Sequence, residues 1–381
     1  MPDVPLSLYV HLPWCVSKCP YCDFNSHTAG DSPPLERYMD AVLEDISAES
    51  ERAADRELIS IFVGGGTPSL FSPQQIGRLL DEVAKRFNLA GDIEITMEAN
   101  PGTVECGDPA GYRSAGVNRL SIGAQSFTTS SLTTLGRIHG VDDIHRSVAA
   151  ARDGGFDNIN VDIMYGLPEQ SVAAALADID AALELGPEHV SWYQLTLEPN
   201  TVFYARPPEG LPDDDLSFDM QQQGQRLLAE RGYRQYEVSA YAIAGRECRH
   251  NLNYWSFGDY LAVGAGAHGK LTGSDGIYRY IKPANPQGYM QMIESGTYAA
   301  QLRALDTPDL LFEFMINALR LSQGFDETLF ESRTGLDPSQ LTNAAAGAVD
   351  RGLIRRDNQQ KWCPTSLGQR FLNDLQAEFL P

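Results

Sequence analysis

Six short apolar runs, each followed by a helix-spaced pattern, set the main constraint on how this chain folds. The runs predict strands over residues 6–11, 58–63, 93–98, 119–123, 158–165 and 190–195. Strands that alternate with helices argue for a parallel α/β architecture. Six units are fewer than the eight of a closed TIM barrel. We therefore expect an α/β fold built on an open, partial, TIM-like (β/α)6 barrel.

Polar and glycine clusters recur where the predicted strands end. They are the cysteine-rich stretch after the first strand, Gly64-Gly65-Gly66, Glu98, Gln125, Asp162 and Glu198. A single cluster means little, because glycine and proline punctuate any loop. In α/β barrels, however, the chemistry is located at the carboxyl ends of the strands. The repeated placement predicts a functional site at that end of the barrel.

Composition changes to a Pro/Gly/Asp-rich segment near residues 205–215. We place the end of the barrel domain there (residues 1–205), followed by a C-terminal α/β extension (206–306). Residues 307–381 are helical in pattern, and together with residues 352–362, which resemble a wing hairpin, they resemble a small winged-helix-like domain. This last domain holds ten acidic and seven basic residues, which favours a docking or covering role over nucleic-acid binding.

Overall charge limits the partners. The chain has 51 acidic and 29 basic residues, a formal net charge of −22, which repels phosphate backbones and anionic membranes. A nucleic-acid partner is therefore disfavoured. No basic segment followed by an apolar run marks a signal peptide, and no apolar run approaches the ~20 residues of a membrane span. With six cysteines, three of them clustered, we expect a cytoplasmic protein in a reducing compartment.

Cys15, Cys19 and Cys22 lie within eight residues, with three residues between the first two and two between the last two. Cysteine is the usual ligand of iron–sulfur clusters. Three thiolates on a four-iron cube leave one iron open to a small molecule, as in catalytic metal sites. A disulfide with a spare thiol is an alternative that the reducing compartment disfavours. A zinc site with His11 or His27 as the fourth ligand is another alternative.

The Cys-x3-Cys-x2-Cys spacing, with an aromatic residue before the last cysteine, resembles the signature of radical S-adenosylmethionine (SAM) enzymes. The resemblance implies a [4Fe–4S] cluster with SAM on the fourth iron. Between about residues 6 and 320 the chain is also similar to oxygen-independent coproporphyrinogen III oxidase and its relatives. The matching motifs begin at Tyr9, Gly64, Glu98, Arg119, Leu135 and Val161.

By motif position, the resemblance implies a set of SAM contacts: Tyr9, Gly65, Gly66, Thr67, Glu98, Gln125, Arg137 and Asp162. Arg137 is expected to meet the SAM carboxylate, a pairing that suits the guanidinium fork. The glycine stretch is expected to bind the methionine amine. Two plainer interpretations are open: the glycines form only a tight turn, and Glu98 and Asp162 cap the helices that follow them.

Two departures separate the chain from the decarboxylating oxidase. Phe24 stands where the oxidase has a further cysteine, and only fourteen residues precede Cys15. Both features resemble the HemW family of heme chaperones. That family carries a His-Asn-x-x-Tyr-Trp motif, matched by His250, Tyr254 and Trp255. The resemblance implies heme as a cofactor, and histidine is a common axial ligand of heme iron. The plainer interpretation is a loop histidine with core aromatics.

The expected function is heme binding and heme transfer to acceptor apo-hemoproteins, respiratory enzymes among them, with transient membrane association. The first rival is oxidative decarboxylation of coproporphyrinogen III; the second is radical SAM modification of RNA, which the −22 charge disfavours. Cys248 is expected to be neither a second heme ligand nor a thioether donor. Cys106 and Cys363 are expected to be small buried hydrophobes, and His139 and His268 structural.

Overall fold

The computed structural model describes residues 4–53, 55–102, 107–298 and 302–381. The strands are β1 (Leu6–Leu12), β2 (Trp14–Cys15), β3 (His27–Thr28), β4 (Glu57–Gly65), β5 (Asn88–Ala99), β6 (Arg119–Gln125), β7 (Ile159–Tyr165), β8 (His189–Gln194), β9 (Arg234–Glu237), β10 (Ala240–Ala242), β11 (Asp259–Val263), β12 (His268–Thr272), β13 (Ile277–Ile281), β14 (Arg303–Ala304), β15 (Ile354–Arg356) and β16 (Trp362–Pro364).

The helices are α1 (Leu35–Ala53), α2 (Pro73–Arg86), α3 (Pro109–Ala115), α4 (Thr129–Thr134), α5 (Val141–Asp153), α6 (Val172–Glu184), α7 (Val202–Ala205), α8 (Asp214–Glu230), α9 (Arg249–Trp255), α10 (Pro286–Glu294), α11 (Thr307–Ala318), α12 (Glu327–Thr334), α13 (Pro338–Asp350), α14 (Ser366–Arg370) and α15 (Leu372–Ala377). In the described ranges no helix combines the length and the apolarity that a bilayer span requires.

One sheet of twelve strands organises the molecule, in the order β14-β13-β12-β11-β1-β4-β5-β6-β7-β8-β10-β9. The six predicted strands correspond to β1, β4, β5, β6, β7 and β8, and every neighbouring pair among them is parallel. The α/β prediction is thus confirmed. The sheet curls into an open barrel, because residues from the ends of β4 through β8 line one common cavity.

Helix α2 shows how the outer layer follows from the sequence. Ser72 accepts from the Gln75 N–H, and the Gln75 side chain accepts from the Ser72 N–H, which completes a capping box. Proline occupies the first turn, where its missing N–H has no helical partner to lose. Ile76, Leu79 and Val83 then recur on one buried face, which packs in the main hydrophobic core around the sheet.

Side chains of the central strands alternate between two environments. In β7, Val161 and Ile163 belong to the outer hydrophobic core, whereas Asn160 and Asp162 form polar contacts inside the barrel. The period of two follows from strand geometry. The barrel interior is therefore polar over much of its length, and this polar lining connects the two ends of the barrel.

The sheet is extended at both edges by residues of the middle region. β11 pairs in parallel with β1, and β12 to β14 follow antiparallel. At the other edge, β9 and β10 form an antiparallel hairpin, with a register shift between Ala240 and Tyr241.

Residues of the C-terminal region build a second hydrophobic core around Phe314, Phe330 and Leu341, and Phe257 and Ile277 of the preceding region pack into it. Helices α11 to α13 are followed by the β15–β16 hairpin, which agrees with the predicted winged-helix-like domain. Cys363, in β16, is half-buried rather than buried, so the expectation of a buried hydrophobe is wrong for this residue. Cys106 lies outside the described residues.

Candidate cofactor site at the carboxyl ends of the barrel strands

The three clustered cysteines lie on a loop held between two short strands, called here the cysteine loop (residues 15–26). β2 pairs in parallel with β3, which sets Cys15 opposite Thr28. Within the loop, the Cys22 N–H donates to the Cys19 carbonyl oxygen at 3.2 Å. The Lys18 ammonium donates to two further carbonyl oxygens of the loop, each at 3.2 Å. The loop is thus folded back on itself, and all three cysteines line one cavity.

The cysteine loop is tied to the barrel by His11 and Asn25. His11 Nε2 lies 2.9 Å from the Asn25 carbonyl oxygen, so this nitrogen carries the proton, and Tyr9 Oη donates to Nδ1 at 3.0 Å. Burial lowers the pKa of His11. The Asn25 amide also donates to the carbonyl oxygens of Ala265 and Ala284, at 2.9 and 2.8 Å. Strand β1 and the segment after β11 thereby fix the end of the loop.

These contacts argue against a zinc site. Both ring nitrogens of His11 are engaged, and His27 Nε2 lies 3.3 Å from the Asn25 side-chain oxygen. Cys19 and Cys22 form no disulfide. In the part of the chain that the structure describes, no three His, Cys, Asp or Glu side chains are grouped for a single ion. An iron–sulfur cube places each thiolate on a different iron, so three separated thiols on one cavity wall fit a cube.

The cavity has a volume of about 360 Å³. Besides the cysteines, its lining includes seven of the eight predicted SAM residues: Gly65, Gly66, Thr67, Glu98, Gln125, Arg137 and Asp162. Tyr9 is the exception, since its hydroxyl is directed to His11. The structure therefore brings together the thiols and polar groups that the sequence singled out. Their contacts with SAM stay predictions.

The glycine run allows the cysteine loop to approach β4 closely. Gly65 has a φ of +118°, and a Cβ added there would lie 2.6 Å from the His11 ring. A Cβ on Gly66 would lie 2.6 Å from the Trp14 carbonyl oxygen. The Gly66 N–H donates to the Leu12 carbonyl oxygen at 2.8 Å. A protonated amine only donates hydrogen bonds, so its recognition here requires acceptors such as carbonyl oxygens and carboxylates.

Four carboxylates line the cavity, Asp23, Glu98, Asp162 and Glu198, and Glu98 and Asp162 are the two among them whose pKa burial raises. The Gly65 N–H donates to Glu98 at 3.0 Å. Burial, reinforced by Asp162, nevertheless raises the pKa of Glu98 to about 7. Asp162 accepts from Ser121 at 3.0 Å and from Asn160 at 2.8 Å, and burial raises its pKa despite these bonds. Both carboxylates therefore take up a proton more readily than an exposed carboxylate does.

Neither carboxylate caps a helix. The side chain at the N-terminus of α3 is Asp108, and the one at the N-terminus of α6 is Ser171. The capping interpretation of Glu98 and Asp162 is therefore wrong. Their side chains are left for the cavity and the barrel interior.

Arg137 is positioned beside the cysteines by two acceptors. Nη2 donates to Asn100 Oδ1 at 2.8 Å and to the Gly123 carbonyl oxygen at 3.1 Å, while Nη1 lies 3.4 Å from Cys19 Sγ. Asn100 also donates to Thr67 Oγ1 at 3.0 Å. One amide thus links the guanidinium to the end of the glycine run, and Asn100 was not among the predicted site residues.

Gln125 adopts a φ of +70°, a region that non-glycine residues visit rarely and mostly where the surroundings demand it. Its side-chain oxygen accepts from Tyr193 Oη at 2.6 Å. Tyr193 lines the cavity from β8 and was not among the predicted site residues. Its position inside the barrel, two residues after Ser191 on the same face, is the signal that identifies it.

The predicted heme residues lie at the opposite end of the barrel. The plainer interpretation of His250 was a loop histidine, but it lies in helix α9 and is only 8% exposed. Its Nδ1 is 3.2 Å from Ser60 Oγ, and its ring centroid is 5.1 Å from that of Phe62. Burial lowers the pKa of His250 to about 3. The loop expectation is wrong, and the imidazole is a neutral, interior group.

Glu94 holds α9 against the amino ends of the strands. It accepts from the backbone N–H groups of Arg249 at 3.1 Å and His250 at 3.2 Å, and from Cys248 Sγ at 3.5 Å. Cys248 is fully buried, and burial raises the pKa of its thiol to about 12. Asn253, one turn further, donates to Ser7 Oγ at 2.9 Å. The helix thereby closes the end of the barrel opposite the cysteine-lined cavity. This end, at the amino ends of the strands, is called here the lower end, and the cavity end is called the upper end.

Tyr254 and Trp255 face away from His250. The Tyr254 ring lies 5.0 Å from that of Tyr260, and the guanidinium of Arg320 lies 4.2 Å from the Trp255 ring centroid. Both aromatics are half-buried at the contact with the C-terminal domain. The three predicted heme residues therefore do not converge on one surface in this structure.

The two histidines expected to be structural differ in their surroundings. His139 is buried with Nε2 3.2 Å from the Ala124 carbonyl oxygen, and burial lowers its pKa to about 4. His268 begins β12 and is exposed.

Two family models match the chain. The Radical SAM superfamily model matches residues 9–182, and the HemN C-terminal domain model matches residues 305–371. Coproporphyrinogen III oxidase (HemN) from Escherichia coli, a radical SAM enzyme of known structure, has a TM-score of 0.82 at 24% identity over 100% of this chain and 91% of its own. At that identity the likeness shows the fold alone.

The curated relatives are more similar. The heme chaperone HemW of Haemophilus influenzae is 48% identical, covering 100% of this chain and 99% of the relative. HemW of Escherichia coli is also 48% identical, over 99% and 98%. HemW of Bacillus subtilis is 34% identical, over 98% and 99%. Because the likeness spans both chains from end to end, this protein belongs to the HemW family of the radical SAM superfamily.

Proposed function

We propose that this chain is a heme chaperone, which binds heme and transfers it to acceptor hemoproteins while carrying a [4Fe–4S] cluster and SAM. The observation that carries the proposal is 48% identity to heme chaperones over essentially the whole chain. The presence of Phe24 in place of a fourth cysteine supports the same function over the oxidase. The oxidase shares the fold at only 24% identity.

The side chains that line the cavity beside the cysteine loop, called here the upper cavity, fit the implied cofactors. Three thiols would hold three irons of the cube, and the open iron would accept SAM, which supplies the cluster with an exchangeable ligand. Arg137, already oriented by Asn100 and the Gly123 carbonyl oxygen, would pair with the SAM carboxylate.

The carboxylates of Glu98 and Asp162 would accept hydrogen bonds from the amine or the ribose hydroxyls of SAM. The upper cavity selects a ligand with one anionic group and several donors, and SAM is such a ligand. Tyr9 would act through His11, which it holds in one tautomer, as a positioning residue.

The His-Asn-x-x-Tyr-Trp motif supplies the candidate heme contacts His250, Tyr254 and Trp255. A heme bound by His250 requires α9 to leave the lower end of the barrel, because Glu94, Ser60 and Phe62 enclose the imidazole. We propose domain limits near residues 205 and 306. The composition change supports the first limit, and the second hydrophobic core, most of whose residues follow residue 306, supports the second. The acceptors would include respiratory enzymes, reached from the cytoplasm through transient contact with the membrane surface.

The test is a paired assay on anaerobically reconstituted protein with SAM and a reductant. The proposal predicts heme binding, seen as a shifted Soret band, and no conversion of coproporphyrinogen III. Formation of a vinyl-bearing product from coproporphyrinogen III would favour the oxidase function instead. A chain that binds no heme would refute the chaperone proposal whatever the porphyrinogen result.

A further inference from the structure

The cysteine loop is surrounded by exposed apolar side chains. Of the twelve large hydrophobic residues exposed in the described part of the chain, five lie on or beside this loop: Val16, Phe24, Ile138, Val202 and Tyr204. The last four are between 56% and 60% exposed. Exposed apolar side chains scattered singly are ordinary, but a group around one cavity marks a binding site.

Hydrogen bonds and close approaches place these residues around the opening of the cavity. Phe24 lines the cavity itself. The Phe203 N–H donates to the Pro20 carbonyl oxygen at 3.0 Å, so α7 with Val202 and Tyr204 lies against the cysteine loop. Pro20 also lies within 2.8 Å of a Cβ built on Gly136, which brings the segment leading to Ile138 to the same place.

The cavity is too small to hold a second large ligand beside SAM. Its volume of about 360 Å³ is near the lower end of the range of ~300–1,000 Å³ for a site that takes one drug-sized ligand. A macrocycle would therefore lie outside, over the opening. His250, the other candidate contact, is enclosed at the far end of the barrel. The exposed rim is thus the part of the site that an acceptor protein can reach.

Local charge fits the carboxylates of a heme. The chain carries a net charge of −22, so its mean field repels an anionic ligand. At the rim, however, Lys18 and Arg206 are exposed, and the Lys18 ammonium lies 3.2 Å from the Phe24 carbonyl oxygen. Two acids line the same cavity, Asp23, which is exposed, and Glu198, which is half-buried. Lys18 is beside Phe24, whereas Arg206 directly follows α7, the helix that contacts the cysteine loop. Two exposed cations on these adjoining segments match the two propionates of a flat macrocycle.

We propose that heme seats its apolar face on Phe24 and Tyr204, over the opening of the cysteine-lined cavity, with Lys18 and Arg206 toward its propionates. This inference rests on the proposed chaperone function and names the surface from which heme is handed over. It adds a contact site to those implied by the His-Asn-x-x-Tyr-Trp motif.

The experiment is a heme titration, followed by absorbance, of the cluster-loaded, SAM-bound chain and four variants. In the double variant Phe24→Ser, Tyr204→Ser we expect the Kd for heme to rise about tenfold or more, the loss typical of two aromatic contacts. Leu380→Ser and Ile281→Ser are matched controls, because these side chains are 60% and 55% exposed but do not line the cavity. They should keep the wild-type Kd. His250→Ala completes the set.

Three results would overturn the seat at the rim. One is an unchanged Kd in the double variant while His250→Ala loses heme, which would place heme at α9. Another is an unchanged Kd with slower heme transfer, which would assign the rim to the acceptor protein. The third is an equal loss in the controls, which would mean non-specific adsorption. If the double variant loses its cluster, the heme titration is repeated with Tyr204→Ser alone, because Tyr204 lies outside the cysteine loop. An unchanged Kd in this variant would also overturn the seat.

The failure of the chaperone proposal itself looks different. A wild-type chain that binds no heme removes the function and the seat together, whereas the results above remove the seat and keep the function.

Discussion

The two ends of the barrel contain the same kinds of side chains in opposite conditions. The upper end has Cys19, Glu98 and Arg137 around a cavity, whereas the lower end has Cys248, Glu94 and Arg119 packed beneath α9. At the lower end Glu94 accepts three protein donors. At the upper end Glu98 accepts one N–H and keeps a pKa of about 7.

Residue type alone therefore does not show which end of the barrel binds a ligand. A carboxylate that satisfies the start of a helix stabilises the fold, because buried helix N–H groups need partners. A carboxylate that faces a cavity beside a glycine turn is available to a ligand. The experiments below test whether the two ends of the barrel differ in this way.

The largest effect is expected from the cysteines. Cys15→Ala, Cys19→Ala and Cys22→Ala should each abolish the cluster, because a cube with two protein thiolates is poorly held. Cys248→Ala and Cys363→Ala should retain it. Iron and sulfide analysis after anaerobic reconstitution measures the outcome. Loss of the cluster in Cys248→Ala would mean that the lower end takes part in cofactor binding.

The next effect is on SAM affinity. Arg137→Met should weaken SAM binding about tenfold or more, since charge-assisted hydrogen bonds contribute roughly 1.5–3 kcal/mol. Arg249→Met is the matched control, because this arginine pairs with Asp92 on the surface at 2.7 Å. Calorimetric titration of the reconstituted variants decides the matter. Equal affinities in the two variants would remove Arg137 from the SAM site.

At the lower end the expected effect is on stability. Glu94→Gln removes an acceptor from a group with three donors and should lower the free energy of unfolding by about 1–3 kcal/mol. The affinity for SAM should not change. Urea denaturation and SAM titration of one preparation separate the two quantities. Weaker SAM binding with unaltered stability would contradict the structural role of this end.

The last prediction concerns the pH dependence of stability. The pKa of Glu98 is about 7 in the fold against 4.5 for an unperturbed glutamate. The folded state then binds more protons than the unfolded state between these values, so stability falls as pH rises from about 4.5 to about 7. Glu98→Gln should flatten this slope in the cluster-free protein. Urea midpoints across that pH range measure it, and an identical slope would mean that Glu98 is not perturbed.

The sequence predicted the six parallel strands and the cysteine cavity because both depend on local patterns. It missed β11, because its partner β1 lies some 250 residues earlier and the pairing is wholly non-local. It also missed α9, whose seven residues are too few to form a stable helix alone. The α9 N-terminus is satisfied by Glu94 from β5, not by a neighbouring residue. Tertiary contacts of this kind leave no local signal.

Two site residues were missed for a related reason. Asn100 acquires its role only when the fold brings Arg137 and Thr67 together. Tyr193 acquires its role when β8 faces β6 across the barrel. By contrast, Cys15, Cys19 and Cys22 were found because their spacing is itself the signal.

The most direct test of the account is heme transfer. Heme-loaded, cluster-containing protein is mixed with an apo-hemoprotein of distinct absorbance, and the acceptor spectrum is followed over time. The account predicts that the holo-acceptor forms at a rate that rises with acceptor concentration and that coproporphyrinogen III is left unchanged. Heme that stays on the chain, together with consumption of coproporphyrinogen III, would contradict it.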